Sequence, residues 1–296
     1  MRIIIATGIY PPEAGGPATY CVGLEYALRE RGHMVHVVLY GILKRLPTGI
    51  RHILYTGKLF WKALGADAII ALDTFSVGVP AVFVARLLGK KIIVRVGGDF
   101  LWEQYLNTGG EILLSDFYTS GKVFTRKEKI IFSLTRFVVH NSIVVFNTEY
   151  QKNIWIPAYQ IEPARAHVSM NAVEDKLESF APKHKNFVFH VRDIPMKNVA
   201  RVRQAIAQAQ KTDPTIMLEE GIVPHDVSMR AISECYAVLA PSLCDISPNY
   251  VIEALQYSKP FILTKHSGIA EWLAPYGTIV DPLDVEDFSC AVVLLS

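Results

Sequence analysis

The sequence predicts an α/β protein made of two parallel-sheet halves. Three observations predict this. Short β-branched runs alternate with longer amphipathic segments along most of the chain. The first of them follows the order strand, Gly-rich loop, helix, strand, which is a βαβ unit. The rhythm then breaks once, near residues 165–180, and restarts.

Each element has a local reason. "RIIIAT" is a short β-branched run and reads as a buried strand, and "GIYPPEAGG" after it is a loop. "PATYCVGLEYALRERG" reads as a helix, with Pro17 in its first turn and Gly32 at its C-terminal stop. "MVHVVLY", "ADAIIAL" and "KIIVRV" read as strands, the last two separated by the helix "VPAVFVARLLG". "RFVVHNSIVVFNT" reads as strand-rich, with His140 packed in it, and the helix "EYQKNIWIPAY" follows. "EDKLESFAPKHKN" is polar and reads as a linker. Beyond it "NFVFHV", "AVLAPS" and "PFILT" read as strands, and "NVARVRQAIAQAQK" and "NYVIEALQYS" as helices.

Composition excludes several function classes. A net charge of +2 over 296 residues gives no general attraction to nucleic acid. The four cysteines show no C-x-x-C spacing, which fits a reducing compartment and neither a disulfide framework nor a zinc knuckle. The first apolar run is too short for a signal peptide and no stretch spans a membrane, so a cytoplasmic location is expected.

The chemistry concentrates in "PSLCDISPNYVIEALQYS". Asp245 and Glu253 lie eight residues apart across a Ser-Pro-Asn step. Ser247 reads as the N-cap and Pro248 as the first helical residue. Glu253 then sits in a helix whose neighbours 250, 251, 252, 254 and 255 are all apolar. A lone buried carboxylate is costly, so Glu253 needs a partner. That partner is either neighbouring backbone or a polyol such as a ribose. The helix start, whose first N–H groups beyond Pro248 are unsatisfied, is suited to a phosphate. Elsewhere, Gly15 and Gly16 precede a helix and form either an ordinary tight turn or a place where backbone approaches a ligand. Asp99 follows Gly97 and Gly98; it reads as a helix N-cap or as an acceptor for a ligand hydroxyl.

These motifs together resemble the retaining glycosyltransferases of the GT-B fold, family 4. "PSLCDISPNYVIEAL" resembles the family's E-x7-E segment, with Asp245 in place of the first Glu. "GIYPPEAGGPATY", "FNTEYQKN", "VSMNAVED" and "SGIAEWL" resemble its Gly-Gly loop, N-S-E helix start, V-x-x-N-G-V-D entry and G-G-x-P-E turn, in the same order. "HVRDIPMKN" resembles its diphosphate-binding loop, with Arg192 and Lys197 at the family's spacing and Asn198 where the family has Gly. "KTDPTIMLEEGIVPHDVSM" compresses a region where the family has a further strand, a glycine turn and a helix.

The resemblance implies two Rossmann-like domains facing across a cleft, the second shortened: an acceptor-side domain over 1–165 and a nucleotide-sugar-binding domain over 166–296. It implies a retaining, metal-independent hexosyltransferase that moves a sugar from a nucleotide-sugar donor to a saccharide or lipid-linked glycan. Asp245 and Asp99 would serve catalysis. Gly15, Gly16, Arg192, Lys197, Ser247, Pro248, Asn249 and Glu253 would hold the donor. No cofactor beyond that co-substrate and no metal is expected. The alternatives are a non-catalytic donor-binding module of the same fold and a nucleotide-sugar epimerase or phosphorylase. "GIRHILYTGKLFWKALG" mixes basic and large apolar residues. It reads either as a helix packed on the first sheet or as one making weak peripheral contact with the inner membrane face.

Overall fold

A computed structural model describes the chain except residues 14, 44 and 172–174; Ala172 and Glu174 of the "VSMNAVED" motif thus lie outside the described residues. The chain divides into two compact units. The first comprises Met1–Leu101 and Gly121–Met170, the second Trp102–Ser120 and Asn171–Ser296.

The first unit holds strands β1 (Arg2–Thr7), β2 (Met34–Leu39), β3 (Ala68–Ala71), β4 (Lys91–Val96), β5 (Ile143–Phe146) and β6 (Ala166–Val168). They form one sheet in the order β2-β1-β3-β4-β5-β6, and every neighbouring pair is parallel. The first sheet therefore reaches past residue 165. Helices α1 (Gly16–Glu30), α2 (Thr48–Ala63) and α3 (Gly78–Leu87) are the crossovers. Parallel strands are covered on both faces, which is why their sequences run apolar without alternation. On one face Ile4, Ile69 and Val94 pack under Tyr55 and Leu59 of α2 and Val82 of α3. On the other, Ile5 and Val35 pack with Cys21 of α1.

After β4 come α4 (Phe100–Leu106), α5 (Leu114–Phe117), α6 (Arg126–His140) and α7 (Glu149–Tyr159). The segment "RFVVH" is the last turn of α6 and not strand. A capping box starts that helix: Thr125 Oγ1 accepts from Glu128 N, and Glu128 answers to Thr125 N. The buried Ile131, Thr135 and Val138 then keep helical spacing through "FVV". His140 is accordingly an exposed helix-end residue whose Nε2 lies 2.7 Å from Tyr159 O.

The second unit holds β7 (Lys185–Phe189), β8 (Ile216–Glu220), β9 (Ala237–Ala240), β10 (Phe261–Thr264) and β11 (Thr278–Val280) in the parallel order β11-β10-β9-β7-β8. Helices α8 (Val199–Thr212) and α12 (Val285–Leu295) cover one face through Val202, Ile206, Phe288 and Val292. Helices α9 (His225–Glu234), α10 (Asn249–Gln256) and α11 (Ala270–Leu273) cover the other through Ile232, Val251 and Leu273. The compressed stretch after α8 still yields a strand, β8, and a helix, α9. Its strand ends in Glu219 and Glu220, which point to opposite faces, and so escapes an apolar pattern. Among the described residues no helix is long and apolar enough to cross a membrane.

The chain leaves β7 for β8 on one side and returns to β9 on the other. The strand order therefore switches between β7 and β9. In open parallel sheets, ligands bind outside the C-terminal strand ends at such a point.

Candidate functional site

The loops that follow β7 and β9 flank this switch point, and they carry the candidate residues of the second unit. They are tied together. Leu243 N donates to Met196 O at 2.9 Å, and Lys197 Nζ reaches Asp245 Oδ2 at 2.9 Å. Asp245 is also fixed through its backbone: its N–H donates to His266 O, and its carbonyl accepts from Gly268 N. Lys197 and Asp245, 48 residues apart, thus form one partly buried ion pair. No spacing in the sequence announces that pair.

Arg192 shares the β7–α8 loop but is exposed, and among the described residues its guanidinium has no partner. One exposed cation, unpaired among the described residues, and one paired cation therefore sit on the same loop.

Asn198 explains how this loop turns. Its φ of 61° is left-handed, a region that glycine enters freely and asparagine tolerates better than other side chains. Its buried amide donates to Pro241 O at 3.1 Å and to Pro282 O at 2.7 Å. A glycine at this position would satisfy the backbone; the asparagine also binds the neighbouring loops. Asn198→Ala is expected to lose about 2–3 kcal/mol of stability, from two hydrogen bonds and the left-handed strain. Asn198→Gly should lose less. Equal melting temperatures for Asn198→Ala and the unaltered protein would show that this turn is not held in the way described.

Helix α10 starts at Asn249, one residue later than the sequence pattern suggests, with Pro248 as N-cap. The ring of Pro248 offers no acceptor, so no side chain caps the helix, and Ser247 lies just outside it. Val251 N and Ile252 N turn back to Pro248 O. The first N–H groups, of Asn249 and Tyr250, are left over among the described residues. An uncapped helix start favours an anion. Two side chains fix its position: Asn249 Oδ1 accepts from Asn171 Nδ2 at 2.7 Å, and Tyr250 Oη accepts from His190 N at 3.0 Å.

Glu253 lies one turn further along. Its carboxyl is mostly enclosed, and among the described residues it has neither cation nor hydrogen-bond donor. Of the two partners the sequence leaves open, backbone is not the one found. Burial alone pushes its pKa up to about 7. Among the described residues this acceptor has nothing to accept from.

The first unit places its candidates at the ends of β1 and β4. Gly15 is the N-cap of α1 with φ 145°, which L side chains avoid, and Gly16 opens the helix. Asp99 is only 2% exposed, and its Oδ2 accepts from the indole N–H of Trp155 at 3.0 Å. Gln151 Nε2 donates to Gly98 O at 3.0 Å. Helix α7, capped by Thr148, thereby pins the Gly97–Gly98–Asp99 turn. The burial of Asp99 and its bond to Trp155 speak for holding backbone in place. Among the described residues no cluster of His, Cys, Asp and Glu is arranged to hold a metal ion.

No family model matches the chain, and no curated protein sequence matches it either. Solved structures do. The sucrose-phosphate synthase of Thermosynechococcus elongatus matches with a TM-score of 0.69 at 13% identity, over 98% of this chain and 88% of that one. WaaG, a glycosyltransferase involved in lipopolysaccharide biosynthesis, matches at 0.67 and 14%, over 99% and 90%. An E. coli trehalose-6-phosphate protein bound with UDP-2-fluoro glucose matches at 0.71 and 12%, again over 99% and 90%. At such identities the likeness shows the fold, which is GT-B, the fold of these glycosyltransferase neighbours.

Proposed function

We propose that the protein is a retaining glycosyltransferase that moves a sugar from a nucleotide-sugar donor to a hydroxyl of a saccharide or lipid-linked glycan. One observation carries this reading. An exposed Arg192 and the Lys197–Asp245 pair lie on the two loops flanking the switch point of the second sheet, and one turn into α10 stands a largely buried carboxylate with no partner among the described residues, a set suited to a nucleotide diphosphate. Metal independence and the hexosyl class come from the resemblance of the motifs. The structural neighbours support nucleotide-sugar chemistry through their fold: one is bound with UDP-2-fluoro glucose.

The geometry supports a role for each residue. Glu253 accepts from two ribose hydroxyls, which relieves its burial without a protein cation. The free N–H groups of Asn249 and Tyr250 point the start of α10 at phosphate, with Ser247 and Pro248 shaping the approach. Arg192 swings in from solvent to the diphosphate. Lys197 is shared: it now neutralises Asp245, and a diphosphate competes for its ammonium. When the bond between the anomeric carbon and the phosphate oxygen breaks, its electron pair stays on that oxygen. Fixed positive charge stabilises the diphosphate so formed. The acceptor oxygen bonds to the anomeric carbon, and its proton passes to the departing phosphate. Asp245, loosened from Lys197, faces the positive charge that develops on the sugar. Asp99 positions the Gly97–Gly98 turn, and Gly15 and Gly16 keep backbone free for close approach to a ligand. A lipid-linked acceptor would bring the chain to a membrane surface.

The test is a panel of UDP-, GDP- and ADP-sugars, with product configuration read by NMR and with EDTA added. Transfer with retention that survives EDTA is expected. Donor isomerised without transfer would point to an epimerase, and donor bound without turnover to a binding module; either result overturns the transferase reading.

A further inference from the structure

Helix α2 is apolar on two opposite faces. Tyr55, Leu59 and Ala63 face the sheet and are fully buried. Ile50, Ile53, Leu54, Trp61 and Leu64 recur at the three-, four- and seven-residue steps of a single helix face, and all are exposed. Ile53 is 73% exposed and Trp61 72%. The helix does pack on the sheet, and it does so with the side away from this tryptophan.

The charges are as uneven as the apolar groups. Arg51, Lys58 and Lys62 are spaced by seven and four residues and so share one flank of α2. Lys58 and Lys62 are exposed and have no partner among the described residues. Neither α2 nor α3 contains a single Asp or Glu. Helix α3 extends the same surface: Lys90, just after it, donates to Leu64 O at the end of α2, and Leu87 beside it is 63% exposed. Isolated exposed apolar residues are ordinary, but a helical stripe with an acid-free basic flank is not.

We propose that the first unit docks on an anionic membrane surface through the outer face of α2. Ile53, Leu54 and Trp61 enter the headgroup–acyl boundary, Lys58 and Lys62 meet lipid phosphates, and Leu87 of α3 widens the contact. A helix lying along a sheet presents its side, so insertion is shallow and nothing spans. Charge decides the occupant. A second copy of this chain would have to offer acidic groups to Lys58 and Lys62, and this face itself has none to offer in return. The proposal deepens the lipid-linked branch of the function proposed above. Its test uses neither donor nor acceptor, so the two can fail separately.

The experiment is co-sedimentation of the whole chain with vesicles of phosphatidylglycerol and phosphatidylcholine in equal parts, and with phosphatidylcholine alone. Binding to the mixed vesicles is expected at low salt, with loss at high salt. Lys58→Gln/Lys62→Gln should weaken partitioning about 25-fold, since each basic residue near an anionic surface contributes about a factor of five. Ile53→Ser/Trp61→Ser should reduce it at least as much, with an unchanged melting temperature because both side chains lie outside the core. No binding to mixed vesicles at low salt overturns the proposal, as does equal binding by both variants. A dimer in sedimentation velocity that Trp61→Ser abolishes, without vesicle binding, would assign the face to self-association and overturn it too.

Discussion

Glu253→Gln is expected to make the free protein more stable while making it a poorer binder of donor. The carboxyl ordinarily titrates near 4.5 and is pushed up to about 7 by burial. Between these values the folded chain holds a proton that the unfolded chain has released. Stability therefore falls as pH rises across that window and stays lower above it. A glutamine is neutral throughout, so the variant should match the parent below pH 4.5 and gain progressively up to pH 7. The full difference corresponds to about 3 kcal/mol at 1.36 kcal/mol per pH unit. Donor affinity should move the other way, by about tenfold, as one acceptor for the ribose is lost. Chemical denaturation at several pH values checks the first part, and calorimetric titration checks the second. A variant that is less stable than the parent at pH 8 would mean that Glu253 has a structural partner after all. Such a trade between stability and function is the usual mark of a site residue.

Lys197 and Arg192 should separate in a second experiment, although both are assigned to the diphosphate. Each alanine replacement should weaken donor binding by about 10- to 100-fold, the range of a lost charge-assisted hydrogen bond. Only Lys197→Ala should also destabilise the free protein, because it leaves Asp245 without its cation 2.9 Å away. Arg192→Ala removes an exposed side chain and should leave the melting temperature alone. Asp245→Asn should act chiefly on turnover. If both alanine variants bind donor with unchanged affinity, the diphosphate assignment fails.

Much of the architecture was legible in the sequence because parallel strands and their crossover helices write strong local patterns. "RIIIAT" and "PFILT" became buried strands, and Pro17 and Gly32 bracket α1 as their chemistry suggests. The errors fall where two signals compete. "RFVVH" looks β-rich taken alone, but a capping box that starts eleven residues upstream commits it to α6. Strand β8 was missed because as an edge strand it tolerates Glu219 and Glu220. The candidate site was legible as a set of residue types, because a carboxylate among apolar neighbours and an Arg–Lys pair after a strand are unusual in themselves. Their mutual contacts were not legible. The Lys197–Asp245 pair and the carbonyls that Asn198 holds join loops distant in the chain, and only the folded sheet brings them together. Trp61 shows the opposite limit: periodicity finds a helix but does not say which of two apolar faces turns inward.

The proposed function requires that the loops at the β7–β9 switch point bind a nucleotide sugar through Glu253 and the Arg192–Lys197 loop. The most direct measurement is thermal denaturation of the unaltered protein and of Glu253→Gln and Lys197→Ala in the presence of UDP-, GDP- and ADP-sugars. A ligand at a hundred times its dissociation constant stabilises by about 2.7 kcal/mol, which such a measurement resolves easily. One donor type is expected to raise the melting temperature of the unaltered protein, and the rise is expected to shrink in both variants. No stabilisation by any of the three, or an equal rise in all three proteins, would contradict it.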